Sequence, residues 1–140
     1  MRIVLDTDVV VAGMRSPMGA SAAIIREARS GNITLLLTVA LAMEYESVCK
    51  RTQHRNAAGL SAREVDIFVD AIIAMAQPVE TYFLWRPQLR DANDEMVLEA
   101  AVNGKADILA TFNRRHFGGI PERFGVSILL PRDVLRRLKQ

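Results

Sequence analysis

Short apolar runs alternate along this chain with stretches in which apolar residues recur every three or four positions. The runs predict buried strands at residues 2–5, 33–37, 79–83, 107–110 and 126–130. The periodic stretches predict helices at residues 20–29, 38–51 and 61–76, from Asp91 or Asn93 to Gly104, and from Pro131 onward. Short apolar strands that alternate with helices predict an α/β fold, in which helices cover both faces of a parallel sheet of four to five strands.

Local signals mark the ends of several of these helices. Ser61 and Glu64 have the spacing of a capping box, and Pro131 suits the first helical position. Gly31 follows the helix at residues 20–29, as a glycine C-cap does. Residues 52–60 are polar and contain a glycine, which predicts a loop between the second and third helices.

The length and composition of the chain restrict what it can be. Its 140 residues, half of them hydrophobic, predict one domain over residues 1–140 with a core of its own, and they exclude a disordered chain. No apolar stretch approaches the roughly 18 residues that cross a bilayer, and the N-terminus enters a strand at once. We therefore expect neither a membrane segment nor a secretory signal. Cys49 is the only cysteine, which fits a reducing compartment such as the cytoplasm.

Acidic residues stand where ligands bind in a parallel sheet. They are Asp6 and Asp8 after the first strand, Glu44 within the second helix, and Asp91 and Asp94 at the start of the fourth. Ligands of open parallel sheets bind outside the carboxyl ends of the strands, and carboxylates gathered there repel one another unless a cation joins them. The pattern therefore predicts a divalent-metal site. Thr111 and Asn113 follow the fourth strand, where they would hold water or a phosphate, or equally stabilise a turn.

Ordinary structural roles compete with metal binding at each of these positions. Asp6 would suit a helix N-cap, and the helix dipole favours acids in any first turn. Glu44 would equally lie at the solvent edge of a buried helix face. Helical spacing turns Asp94 toward the sheet and Glu95 away from it, because apolar residues follow Asp94 three and four positions later.

The net charge of +2 is small, but the basic residues are clustered. The clusters are Lys50, Arg51, His54 and Arg55; Arg114, Arg115 and His116; and Arg132, Arg136, Arg137 and Lys139. Basic clusters beside gathered acids suit a polyanion that is held near a metal ion. A solvated surface is an equal explanation for the C-terminal cluster.

Four segments, taken in order, resemble motifs of the PIN-domain ribonucleases. They are LDTDVVV at residues 5–11, TVALAMEY at 38–45, RDANDE at 90–95 and ADILATFN at 106–113. The resemblance spans nearly the whole chain and is closest to the branch of VapC-like toxins from toxin–antitoxin pairs. It implies a PIN-like domain over residues 1–140, with a parallel central sheet between layers of helices.

The resemblance also implies a function and a set of site residues. The function is that of a Mg²⁺- or Mn²⁺-dependent endoribonuclease. Asp6, Glu44 and Asp94 would be the metal-binding and catalytic carboxylates, Asp91 a nearby helper, Thr111 a residue that positions water or phosphate, and Asn113 the fourth-motif residue. Such a metal would lower the pKa of a bound water and neutralise charge that develops at the scissile phosphorus.

Partners follow from the same resemblance and from charge. RNA would be the substrate, and Lys50, Arg114 and Arg115 would contact its phosphates, an assignment made from charge alone. A VapC-like toxin implies a small antitoxin that masks the cleft with an extended or helical segment carrying a basic side chain. We expect a homodimer and no membrane association.

This chain departs from the family pattern at two positions. The family usually has Asn where this chain has Asp8, and it often has Asp where this chain has Asn113. The first change adds a carboxylate and the second removes one. A neutral fourth-motif residue weakens the case for a second metal ion, while Asp8 is either an auxiliary acid or a capping residue.

Two other functions compete with RNA cleavage. The Asp-x-Asp spacing of Asp6 and Asp8 also fits phosphatases of the haloacid-dehalogenase type, with Asp6 as nucleophile and Asp8 as acid and base. The later Asp91 and Asp94 lack the spacing which that family requires. Alternatively, the protein binds RNA or a partner without cutting, which the neutral Asn113 would favour.

Overall fold

The computed structural model describes residues 1–81, 89 and 91–140. The elements in these residues are β1 (Arg2–Leu5), α1 (Thr7–Arg15), α2 (Ala20–Arg29), β2 (Thr34–Leu37), α3 (Val39–Cys49), α4 (Thr52–Ala58), α5 (Ala62–Met75), β3 (Gln77–Pro78), α6 (Ala92–Asn103), β4 (Ile108–Ala110), a 3₁₀ turn (Arg114–His116), α7 (Ile120–Arg123), β5 (Ser127–Leu129) and α8 (Pro131–Leu138). No helix among them is long and apolar enough to cross a bilayer.

The five strands form a parallel sheet in the order β3-β2-β1-β4-β5. Ile3 in the central strand pairs with Leu35 on one side and with Ile108 on the other. The predicted α/β class is thus confirmed, with helices flanking the sheet. The chain first adds β2 and β3 on one side of β1, and it later adds β4 and β5 on the other side. The strand order therefore reverses between β1 and β4, and ligand sites form outside the carboxyl ends of strands at such a switch point.

The hydrophobic core extends from β1 to α8, with Ile3 and Val134 among its fully buried members. Tyr45 on α3 is one of its largest side chains, and its hydroxyl donates a hydrogen bond to the carbonyl oxygen of Leu5. Burying a tyrosine requires a partner for its hydroxyl. This bond satisfies that need and ties α3 to the end of β1, one residue before Asp6.

Helix α1 was not among the predicted elements. Three consecutive valines, which favour strands because they branch at Cβ, occupy residues 9–11. Asp6 supplies the N-cap, because its side chain accepts a hydrogen bond from the Thr7 amide. Val9 and Val10 are fully buried, so tertiary packing overrides the local preference. Gly13 lets α2 pack closely, since a Cβ there would lie 2.7 Å from Ile25 Cδ1.

Two predicted elements were wrong in type or position. The predicted loop at 52–60 is largely helix α4, which ends at Gly59 in the left-handed conformation (φ 71°). None of the residues of α4 is buried, so its sequence lacks the regularly spaced apolar residues that predict a helix. The third strand, predicted at 79–83, occurs instead at Gln77–Pro78, on an edge where proline is tolerated. Residues 82 and 83 lie outside the described part of the chain.

The predicted local signals are otherwise confirmed. Ser61 and Glu64 form the reciprocal capping box at the start of α5. Pro131 begins α8, and Gly31 follows the C-cap of α2 with a φ of 80°. The fourth predicted helix begins after Asp91 and ends before Gly104, as expected.

We expect Tyr45→Phe to lower the free energy of unfolding by about 1–2 kcal/mol, because it removes the donor to the Leu5 carbonyl and keeps the ring in the core. Urea unfolding followed by circular dichroism measures this loss. Wild-type stability in the variant would show that the hydroxyl does not anchor the end of β1.

Candidate active site

Asp6 lies at the switch point of the sheet, between the carboxyl ends of β1 and β4. Its amide donates to the Ala110 carbonyl oxygen across 2.9 Å. Its Oδ1 accepts from the Thr7 amide at 2.8 Å, and its Oδ2 accepts from Thr111 Oγ1 at 2.7 Å. Asp6 is 7% exposed and Thr111 is fully buried, so the first and fourth motifs meet in a buried, hydrogen-bonded pair.

Asp8 and Asn113 are also brought together, 105 residues apart in the chain. The Asn113 side-chain amide donates to Asp8 Oδ2 at 2.9 Å, and the Phe112 amide donates to the same oxygen at 3.2 Å. Asp8 Oδ1 is buried and has no hydrogen-bond partner among the described residues. The two positions that depart from the family pattern therefore contact each other, and one carboxylate oxygen is left available for a cation or a proton.

Burial raises the pKa values of both acids, and the charge of Asp6 adds to the rise at Asp8. Burial raises the pKa of Asp6, while hydrogen bonds from Thr111 and from the Thr7 amide oppose the rise. Burial, followed by the charge of Asp6, raises the pKa of Asp8 to about 7. Two carboxylates in this position favour either a bound proton or a bound cation.

Asp94 joins this group from the first turn of α6. Burial raises its pKa, and the charges of Asp6 and Asp91 add to the rise. His116 on the 3₁₀ turn opposes it, with Nδ1 at 3.4 Å from Asp94 Oδ2. Asp91 itself is the N-cap of α6 and accepts from the Asn93 amide at 2.7 Å, so it performs the capping role that the sequence left open.

Glu44 and Asp94 line different cavities, each of which also includes a residue from the start of α6. Glu44 is half-buried and lines a cavity of about 580 Å³ together with Asp6, Asp8 and Asn93. Asp94 lines a second cavity, of about 610 Å³, whose wall also includes Asp91, Arg115 and His116. Of the three predicted metal carboxylates, Asp6 and Glu44 therefore line one cavity and Asp94 lines the other.

These carboxylates suit a divalent ion that keeps most of its bound waters better than an ion that protein ligands surround completely. No group of three or more His, Cys, Asp or Glu side chains within the described ranges is arranged to hold a metal ion. Mg²⁺ keeps several waters and uses only one or two carboxylates in many sites. The close pair Asp6 and Asp8, with its unpartnered buried oxygen, suits such an ion. Joint binding by Asp6, Glu44 and Asp94 stays a prediction.

The predicted phosphate contacts differ in their surroundings. Lys50 is ion-paired with Glu46 at 3.1 Å and Asp66 at 2.7 Å. Arg115 lines the second cavity, while Arg114 is exposed on the 3₁₀ turn. Lys50 would have to leave both partners before it could bind RNA, whereas Arg115 already stands beside the acids.

Four further residues lie at these cavities although they were not among the predicted site residues. Arg15, Arg51 and His54 line the first cavity, and His116 contacts Asp94. Three of the four fall within basic clusters, which is the only signal the sequence offered for them. Arg15 lies outside every cluster. Glu95, which the spacing turns away from the sheet, is nevertheless buried and accepts a hydrogen bond from the Leu89 amide.

Comparison with known proteins gives one match. The family described as PIN domain matches residues 2–115, a range that contains the four motifs and every acid discussed above. No curated protein and no solved structure matches the chain.

The buried acids predict a pH-dependent stability for the metal-free protein. Folded Asp8 keeps a proton that the unfolded chain releases above pH 3.8, so the free energy of unfolding should fall as pH rises from about 4 to about 7. Asp8→Asn should flatten this fall and stabilise the protein by about 1–3 kcal/mol at pH 8. Urea unfolding in EDTA across this pH range measures both, with exposed Asp70→Asn as the matched control. A variant with the wild-type pH profile would contradict the assignment.

Proposed function

This chain belongs to the PIN domain family, whose members are generally nucleases, and on that basis we propose that it is a Mg²⁺- or Mn²⁺-dependent endoribonuclease. It would hydrolyse phosphodiester bonds in RNA. The observation that carries the proposal is that the buried Asp6 and the half-buried Asp8 lie together at the switch point, with Asp94 near enough for the charge of Asp6 to raise its pKa. Such a group of acids is costly to hold together unless a cation binds it.

The metal ion would be held by Asp6 and Asp8, with Glu44 and Asp94 contributing directly or through water. When bound, it would lower the pKa of the attacking water and offset the negative charge that develops on the phosphate. The protein contributes a fixed arrangement of oxygens. Because the Thr7 amide and Thr111 hydroxyl hold both oxygens of Asp6, that carboxylate needs no reorganisation when substrate arrives.

Residues around the acids would bind and orient the substrate. Thr111 would help to position water or phosphate through its contact with Asp6. Asn113 and the Phe112 amide orient Asp8 in the same way. His116 contacts Asp94 and lines a cavity with Arg115, so these two side chains would bind phosphate next to the acids.

We propose that residues 1–140 form one PIN-like domain. The core supports this extent, because it includes Phe117, Val126 and Val134, all of which lie beyond the matched range. Strand β5 pairs directly with β4, so the last part of the chain completes the sheet that carries the site.

We further propose that the nuclease is a cytoplasmic toxin, active as a homodimer and inhibited by a small antitoxin. The VapC-like similarity of the four motifs supports this role. A basic side chain of the antitoxin would fit among Asp6, Asp8 and Glu44 in the first cavity. A short open reading frame beside the gene should encode a protein that co-purifies with this one and blocks RNA cleavage. Light scattering of the purified chain would measure its oligomeric state.

A second candidate function is RNA or partner binding without cleavage. Two observations favour it. The described residues contain no preassembled group of three metal ligands, and the fourth-motif residue is the neutral Asn113. The phosphatase alternative is not carried forward, because the matching family is that of the PIN domain.

Cleavage of RNA by the purified protein tests the main proposal. We expect Mg²⁺ or Mn²⁺ to support cleavage and EDTA to abolish it. Asp6→Asn and Asp94→Asn should each lower the rate by about 100-fold or more while the metal-free fold stays at least as stable. Exposed Asp70→Asn is the control and should cleave like the wild type. Binding of RNA without metal-dependent cleavage would favour the second candidate function.

Binding of the ion should also stabilise the fold. We expect saturating Mg²⁺ or Mn²⁺ to raise the melting temperature by about 2–6 °C, because it relieves the repulsion among the acids. Differential scanning calorimetry at constant ionic strength measures the rise. Asp6→Asn should reduce it. A melting temperature that does not respond to either ion would contradict metal binding at this site.

A further inference from the structure

The first cavity has an acidic side and a basic side. Asp6, Asp8 and Glu44 form the acidic side. Arg15 from the end of α1 and Arg51 at the start of α4 line the same cavity, together with His54 from the first turns of α4. These last three residues come from two helices, one of which the sequence did not predict and the other of which it predicted as a loop.

The two arginines are not used to neutralise the acids. Among the described residues, neither Arg15 nor Arg51 forms an ion pair with a carboxylate. The neighbouring Lys50, in contrast, pairs with two. Both arginines are exposed at the cavity wall. Two cations without a carboxylate partner, held on one side of a cavity, form a binding site for an anion.

His54 adds a hydrogen-bond donor to this wall. Its Nδ1 lies 3.4 Å from Arg15 Nη1. A guanidinium can only donate, so His54 Nδ1 accepts, and the proton of the neutral ring then lies on Nε2. Burial and the charges of Arg15 and Arg51 lower the pKa of His54, which agrees with a neutral ring. The basic side therefore offers two charged guanidinium groups and one neutral imidazole N–H group.

Phe112 supplies an apolar surface at the rim of the same cavity. Its side chain is 48% exposed although the residue is large and hydrophobic. Its backbone amide donates a hydrogen bond to Asp8, which places the backbone that carries the ring beside the acids. An exposed aromatic ring on a polar cavity can stack on a nucleobase, and any of the four bases can occupy such a position.

We propose, as an extension of the nuclease function above, that this cavity binds the nucleotide next to the scissile phosphate. Phe112 stacks on the base of that nucleotide. Arg15 and Arg51 bind the phosphate on its far side, and His54 donates a hydrogen bond to the same phosphate. The cavity volume of about 580 Å³ lies within the range of small-molecule sites, roughly 300–1,000 Å³.

The separation of charges explains how substrate is placed. The acids require a cation and repel bare phosphate, so the basic wall takes the neighbouring phosphate and the scissile one is left beside the acids. Arg15, Arg51 and His54 are positioning residues in this arrangement. Their loss should weaken binding and raise KM, with little effect on the rate of the chemical step.

A binding experiment isolates these contacts from cleavage. The probe is a fluorescein-labelled single-stranded RNA of mixed sequence, bound to the full chain carrying Asp6→Asn and followed by anisotropy at several salt concentrations. Arg15→Gln and Arg51→Gln should each weaken binding by about 3- to 10-fold and reduce the salt slope of log K by about 0.7. Phe112→Leu should weaken binding by about fivefold or more with the slope unchanged.

The control is Arg29→Gln, which removes an exposed arginine at the C-terminal end of α2, outside the first cavity. It should leave both affinity and slope as they are. Arg51→Lys should restore most of the slope, because the charge is kept. If Arg15→Gln and Arg51→Gln behave like Arg29→Gln, the phosphate-binding wall is refuted, and a Phe112→Leu variant with wild-type affinity refutes the stacking contact.

Steady-state cleavage separates this inference from the nuclease proposal. In the otherwise unchanged protein, Arg15→Gln and Arg51→Gln should raise KM by about 3- to 10-fold with kcat within twofold. Cleavage with an unaltered KM in both variants overturns the inference and leaves the nuclease proposal intact. If RNA binding depends on Arg15, Arg51 and Phe112 but the wild-type protein does not cut RNA, the proposed nucleotide-binding cavity is supported and the nuclease proposal is overturned.

Discussion

The repulsion between the buried Asp6 and the half-buried Asp8 is the constraint on which the rest of this site depends. Asp6 follows the last residue of β1 and Asp8 lies in the first turn of α1, so the chain cannot separate them. Each is held by donors from the segment that follows β4, Asp6 by Thr111 and Asp8 by Asn113. These hydrogen bonds lower the cost of burying the charges without removing it. The remaining cost raises the pKa of both acids, and in the proposed function it would favour a bound cation.

This constraint links stability to function. A fold that holds like charges together is less stable for it, and in the proposed function the binding of a cation would recover that loss. The central position of β1 makes such an arrangement possible. Leu5 is fully buried, paired with β4 and tied to Tyr45, so the strand end cannot move to relieve the repulsion.

The basic wall is the counterpart of the acidic pair. Arg15 and Arg51 come close to the acids without pairing with them, so both sets of charges remain available to a ligand. In the proposed arrangement, one phosphate of an RNA chain would lie beside the acids and their cation, and the next phosphate would lie beside the arginines. The net charge gave little indication of this basic wall, because +2 is the sum over the whole chain and does not show where the charges lie.

The sequence by itself determined the fold class and most helix and strand positions, and it predicted the acids of the site, because each of these leaves a local signal. Apolar runs marked the strands, the capping box marked α5, and Asp6 and Thr111 stood at strand ends. The tertiary structure alone decided the rest. The valines of α1 favour a strand until they are packed, and α4 has no buried face to produce a period. The contacts of Asp8 with Asn113 and of Arg15 with His54 join residues distant in the chain, and only the reversal of strand order at β1 and the packing of α1 against α4 bring them together.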